Sequence, residues 1–90
     1  MDDSVAEHNP LRILIADDSD SDRLILKALL KRLGHDVLDA ANGLDAVAMF
    51  QQEAPDLVLL DALMPVMDGM EAARQIKLLA GERLVPLIFL

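Results

Sequence analysis

Ninety residues allow one small domain, and a composition 53% hydrophobic and 27% charged belongs to a chain that packs a core rather than one that stays disordered. The absence of Cys excludes disulfide staples and thiolate metal sites, and no apolar run approaches the ~20 residues needed to span a bilayer. A formal net charge of −8 argues against nucleic-acid phosphates as a partner of this segment, and an N-terminus without a basic and an apolar region reads as cytoplasmic.

Residues 1–10, MDDSVAEHNP, have no hydrophobic period and read as a mobile acidic tail, with His8 solvated in it. Ile13, Leu14, Ile15 and Ala16 follow, apolar on both faces as in a central parallel strand. Ser19 or Asp20 can cap a helix in which Leu26, Leu29, Leu30 and Leu33 share one face, and Gly34 ends it. His35 to Ala40 reads as a weaker strand, with His35 solvated in the turn before it. Asn42-Gly43 opens a second helix carrying Leu44, Val47, Ala48 and Phe50, stopped by Pro55. Asp56 to Leu60 is again apolar on both faces, Met70 to Leu79 a third helix closed by Gly81, and Val85 to Leu90 another buried strand. Asp68 reads as the cap of the third helix, and Met64, Met67 and Met70 as packing residues.

The order βαβαβαβ predicts a parallel sheet with helices on both faces, whose reactive edge lies at the carboxyl ends of the strands. Asp17 and Asp18 end the first strand and Asp61 ends the third. Taken singly, each has a plain reading: an acid-rich helix start, which the helix dipole favours, or a turn residue. If the two strands are neighbours, three carboxylates converge, and two of them ~4 Å apart repel by roughly 4 kcal/mol at an effective dielectric of 20. Either one carboxylate takes a proton or a cation neutralises them. Hard oxygen ligands without nearby His or Cys suit Mg²⁺, and Asp can serve as a phosphoryl nucleophile. Lys27, Lys31 and Lys77 all fall within helices, so none is an obvious cation for that edge.

The segments RILIADDSDSDRLILKALLKRLGHDV, AANGLDAVAMF, PDLVLLDALMPVMDGMEAARQIK and VPLIFL together resemble the receiver domain of two-component response regulators, over residues 11–90. The resemblance implies a flavodoxin-like, doubly wound parallel sheet with strand order 2-1-3-4. It makes Asp61 the phosphoacceptor, supplied by a sensor histidine kinase or a histidine phosphotransfer protein. Asp17 and Asp18 would hold Mg²⁺ with Asp61 and the backbone carbonyl of Leu63. Met64, Pro65 and Gly69 would shape the loop that fixes that carbonyl. Such a domain assists its own phosphorylation and turns over no separate substrate. A haloacid-dehalogenase-type hydrolase also uses an aspartyl nucleophile, but it needs a second Asp where Leu63 stands.

Receivers of this kind have five strands and five helices, so residues 11–90 read as an incomplete (βα)3β version, truncated after the fourth strand. The family's switch Ser/Thr and the Lys of its fifth strand lie beyond these positions, and impaired phosphoryl transfer is expected. An open fourth strand is also expected to pair with a second copy through residues 85–90, giving a homo-oligomer. The competing functional reading is a non-catalytic interaction or dimerisation module on the same scaffold.

Overall fold

The computed structural model describes residues 9–90, so most of the expected acidic tail, including His8, lies outside the described residues. The elements alternate as the periodicity predicts: β1 Arg12–Ala16, α1 Asp20–Arg32, β2 Asp36–Ala40, α2 Gly43–Glu53, β3 Leu57–Leu60, α3 Gly69–Ala80 and β4 Leu87–Phe89. The four strands form one parallel sheet in the order β2-β1-β3-β4. The crossover that places β3 beside β1 rather than beside β2 makes β1 and β3 neighbours, the condition on which the carboxylate cluster depends.

Each helix begins where a side chain satisfies backbone N–H groups that the first turn leaves unpaired. Ser19 Oγ accepts from Asp22 N at 3.2 Å, Asn42 Oδ1 from Asp45 N at 2.8 Å, and Asp68 Oδ1 from Glu71 N at 2.9 Å. Helix α1 ends on Gly34 at φ 94°, whose N–H bonds the Lys31 carbonyl at 3.0 Å while His35 N bonds Leu30 O at 3.1 Å. Only a residue tolerant of left-handed backbone closes a helix this way.

Alternate residues of β1 and β3 feed opposite faces of the sheet. Leu14, Ala16, Val58 and Leu60 pack with Ala46, Val47 and Phe50 of α2 and with Ala72, Ala73 and Ile76 of α3. On the other face Ile13, Ile15 and Leu59 are covered by Leu26 and Leu30 of α1. Among the described residues one face thus carries two helices and the other carries one.

That asymmetry corrects parts of the periodicity reading. In α1 only Leu26 and Leu30 reach the core, while Leu29 and Leu33 are exposed, because a single helix on a flat face buries a narrow stripe. In α2 the buried residues are Gly43, Ala46, Val47 and Phe50, spaced three and four apart on one helix face, so Leu44 and Ala48 point outward. Strand β4 is shorter than expected and is not buried on both faces: Leu87 is half-buried, and Ile88 and Phe89 are exposed along a sheet edge. His35 is half-buried and its Nδ1 accepts the Leu11 N–H at 3.0 Å, joining the start of β1 to the turn before β2.

Candidate functional site

Ladder register brings the first and third strand ends level. Ala16 faces Leu60 on one side and Ala40 on the other. The ladder continues one residue further: Asp61 N donates to Ala16 O at 2.8 Å, and Asp17 N donates to Ala40 O at 3.1 Å. The two acids are therefore fixed by backbone bonds before any side-chain interaction is counted. Asp18 follows on the exposed turn into α1. One carboxylate oxygen from each of Asp17, Asp18 and Asp61 lies within 4.8 Å of the others.

The three carboxylates differ in how they are held. Asp17 is 9% exposed, and its Oδ1 accepts the Ser19 N–H at 2.9 Å. Asp61 is half-buried, and its Oδ1 accepts the Leu63 N–H at 3.1 Å, which turns the chain sharply after β3. The second oxygen, Oδ2, accepts no hydrogen bond among the described residues. None of the three is in an ion pair among the described residues; the cations Arg23 and Lys27 are engaged by Asp20 and Asp39 instead. This donor set, oxygen only and partly open to solvent, fits a hard divalent cation and offers nothing to a soft one.

The loop after Asp61 is built around close backbone approaches. Gly69 N donates to Ala62 O at 3.0 Å, and a Cβ on Gly69 would overlap the Asp61 carbonyl oxygen and stand 2.7 Å from Ala62 Cα. At Gly43, opposite the loop, a Cβ would overlap the Met67 carbonyl oxygen and lie 2.8 Å from its carbon. Both glycines are needed for space, and together they clamp the loop between the first turns of α2 and α3. Between them Val66 sits at φ 69°, and Met67 N bonds Pro65 O at 2.8 Å to close a three-residue turn. Met64 is buried and Met67 half-buried, whereas Met70 is exposed on the outer side of α3 and does not pack as expected.

Sequence reasoning overlooked Arg23. Its guanidinium bonds the Asp17 carbonyl at 2.7 Å, Asp20 Oδ1 at 2.8 Å and Asp39 Oδ2 at 3.2 Å. The Asp20–Arg23 spacing of three was a legible helix pair. The bond to Asp39 depends on β2 lying beside β1, which spacing alone does not reveal.

The description "response regulator receiver domain" fits residues 13–90. The chain is 47% identical over 77 residues to the protein PilH of Pseudomonas aeruginosa, an alignment covering 86% of this chain and 64% of PilH. The chain thus spans somewhat under two thirds of that relative's length, and about a third (34%) of the probable transcriptional regulator ycf27 of Cyanophora paradoxa. Among solved structures, Vibrio cholerae chemotaxis protein CheY4 superposes with a TM-score of 0.84 at 30% identity, covering 90% of this chain and 68% of that one. The receiver domain of sensor histidine kinase PA1611 from Pseudomonas aeruginosa, described with a magnesium ion coordinated in its active-site cleft, gives 0.83 at 32% identity, covering 90% and 66%. With its strand order, its three-helix packing and its whole length from Ile13 onward matched, the chain belongs to the receiver domains of two-component response regulators.

Proposed function

We propose that Asp61 accepts a phosphoryl group from a phosphohistidine of a sensor kinase or phosphotransfer protein, with Mg²⁺ held by Asp17, Asp18, Asp61 and the Leu63 backbone carbonyl. The observation that carries this reading is the convergence of three unpaired carboxylates within 4.8 Å at the carboxyl edge of a parallel sheet. A cluster of carboxylates that form no ion pairs of their own is costly unless a cation occupies it. The PA1611 receiver, described with magnesium in its cleft, is similar in fold and supports the choice of ion.

The chain's own groups set up the transfer. The Leu63 N–H ties Asp61 Oδ1 and leaves Oδ2 as the attacking oxygen. That oxygen forms a bond to phosphorus as the phosphorus–nitrogen bond breaks; the electron pair returns to the imidazole nitrogen, and an acyl phosphate remains on Asp61. When bound, Mg²⁺ supplies positive charge that offsets the repulsion between the incoming phosphoryl group and the carboxylates. Asp17, held by Ser19 N–H and the Ala40 carbonyl, keeps its place as charge accumulates. Lys27 pairs with Asp39, and Lys31 and Lys77 lie near the ends of α1 and α3, so none of the three is held at the cluster.

The location that fits this chemistry is the cytoplasm, and among the described residues no helix is long and apolar enough to cross a membrane. The test is labelling by a small acyl phosphate, together with beryllofluoride binding in the presence of Mg²⁺. Label or beryllofluoride held by the wild-type chain and lost in Asp61→Asn supports the reading; equal retention by both proteins overturns it.

A second reading, as an interaction or dimerisation module, is favoured by one observation. Ile88 and Phe89 of β4 and Leu90 just after it are 50%, 43% and 53% exposed, and among the described residues β4 pairs with β3 alone. An apolar edge with free backbone groups is a template for a second chain. Self-association that persists in a protein unable to bind beryllofluoride would favour this module.

A further inference from the structure

Asp18 is the least supported member of the acidic cluster. It is exposed, and its side chain takes part in no hydrogen bond or ion pair among the described residues. Its place is therefore set by the peptide plane that joins it to Asp17. Rotation of that plane is restrained at the Asp17 carbonyl oxygen, which accepts from Arg23 Nη1 at 2.7 Å. Arg23 is itself aimed from two further directions. Its Nη2 bonds Asp20 Oδ1 at 2.8 Å on its own helix, and its Nε bonds Asp39 Oδ2 at 3.2 Å on the neighbouring strand β2. Lys27 Nζ holds the other Asp39 oxygen at 3.4 Å. The Arg23 side chain is only 16% exposed, so the planar fork works away from bulk water, where its geometry counts for more.

We infer that Arg23 is a positioning residue for the metal pair: it fixes the Asp17–Asp18 peptide, and Asp39 fixes Arg23. The inference rests on the Mg²⁺ reading above and extends it from the ligands to the groups that hold them. Partners one step out from metal ligands typically govern affinity by 10–100-fold.

Charge and position act in opposite directions here, which makes the inference decidable. Arg23 is a cation beside a cluster that would take a cation. If it acted only through its field it would compete with Mg²⁺, and removing it would tighten binding. If it positions Asp18, removing it loosens binding despite the gain in negative potential. Arg23→Lys keeps the charge but cannot reach three acceptors with one planar fork. Asp39→Ala keeps Arg23 whole and removes the group that aims it.

The experiment is calorimetric titration of the chain with Mg²⁺ at fixed ionic strength, for wild type, Arg23→Ala, Arg23→Lys, Asp39→Ala and Asp18→Asn. A metal-free readout accompanies it: amide hydrogen exchange at Asp18 and Ser19. The expected result is about tenfold weaker Mg²⁺ binding in both Arg23 variants, a smaller loss in Asp39→Ala, and faster exchange at Ser19 in all three. Should Arg23→Ala fail to fold, Arg23→Lys carries the same test with the charge unchanged, whereas Asp39→Ala also removes a negative charge and is read by its exchange at Ser19. Mg²⁺ affinity in Arg23→Lys that is unchanged or tighter overturns the positioning role. If wild type binds Mg²⁺ and Asp18→Asn does not, the site reading survives that outcome; if wild type shows no saturable binding, both readings fall.

Discussion

Replacing Gly69 with Ala adds one methyl group at the most confined backbone position beside Asp61. Gly69 is the first residue of α3 after its Asp68 cap, and the new Cβ would overlap the Asp61 carbonyl oxygen. It would also stand 2.7 Å from Ala62 Cα and 3.0 Å from the Asp61 carbonyl carbon, against ~3.5–4.0 Å for a favourable contact between carbons. All three atoms belong to the backbone, so no side chain can rotate away. Relief requires the start of α3 or the 61–62 peptide to move, and such overpacking costs about 1–3 kcal/mol. In a domain of this size each kcal/mol shifts the melting temperature by about 4–8 °C. With two backbone overlaps and a third backbone atom at 3.0 Å we place the loss in the upper half of that range, roughly 8–24 °C. Gly81→Ala is the control. Gly81 sits at φ +62° and ψ −120°, a backbone conformation that residues with a Cβ avoid, and nothing lies within 4 Å of its Cβ position, so Gly81→Ala brings backbone strain of about 1–3 kcal/mol without any overlap. Thermal unfolding followed by far-UV circular dichroism compares the two variants. Gly69→Ala should melt well below wild type, and on the proposed metal reading Mg²⁺ affinity should fall in that variant and not in Gly81→Ala, since only the former displaces the Asp61 backbone. A Gly69→Ala melting temperature equal to that of wild type would refute the argument that space requires glycine at 69, where φ is not positive.

Three further outcomes are expected. Glu71 is held at about 2, below its ordinary 4.5, first by its hydrogen bond from Arg74 and then by that from Gln75. Its folded value lies below its unfolded one, so its contribution is complete above about 4.5 and disappears as pH falls toward 2; the melting-temperature gap between wild type and Glu71→Gln should close over that window, and a constant gap would contradict it. Val66→Gly should stabilise the chain by about 1 kcal/mol, since a β-branched residue at φ 69° carries strain that exceeds the entropic cost of glycine; an unchanged denaturation midpoint would count against strain there. On the interaction-module reading, Ile88→Glu should abolish or weaken association measured by light scattering at micromolar concentration; undiminished association, or a wild type that stays monomeric, would count against a β4 contact.

The alternation of buried strands and amphipathic helices was legible in the sequence because it is a local property. A run such as Ile13 to Ala16 is apolar on both faces, and only a central strand covered on both sides suits it. The helix starts were legible for the same reason, since Ser19, Asn42 and Asp68 each cap their own helix within three residues. The acids at the two strand ends could be picked out, but their meeting was conditional on β1 and β3 being neighbours. Strand order decides that, and strand order is a matter of which helices cover which face. Only the tertiary structure showed that α1 covers its face alone and leaves Leu29 and Leu33 exposed. The same holds for Arg23. Asp20 is three residues away in sequence, yet its other partner, Asp39, is brought within 3.2 Å solely by the pairing of β2 with β1. Hydrophobic period and capping arise from neighbours along the chain, so sequence carries them; the clustering and bracing of charges arise from strands far apart in sequence that hydrogen-bond side by side, and no local pattern encodes that.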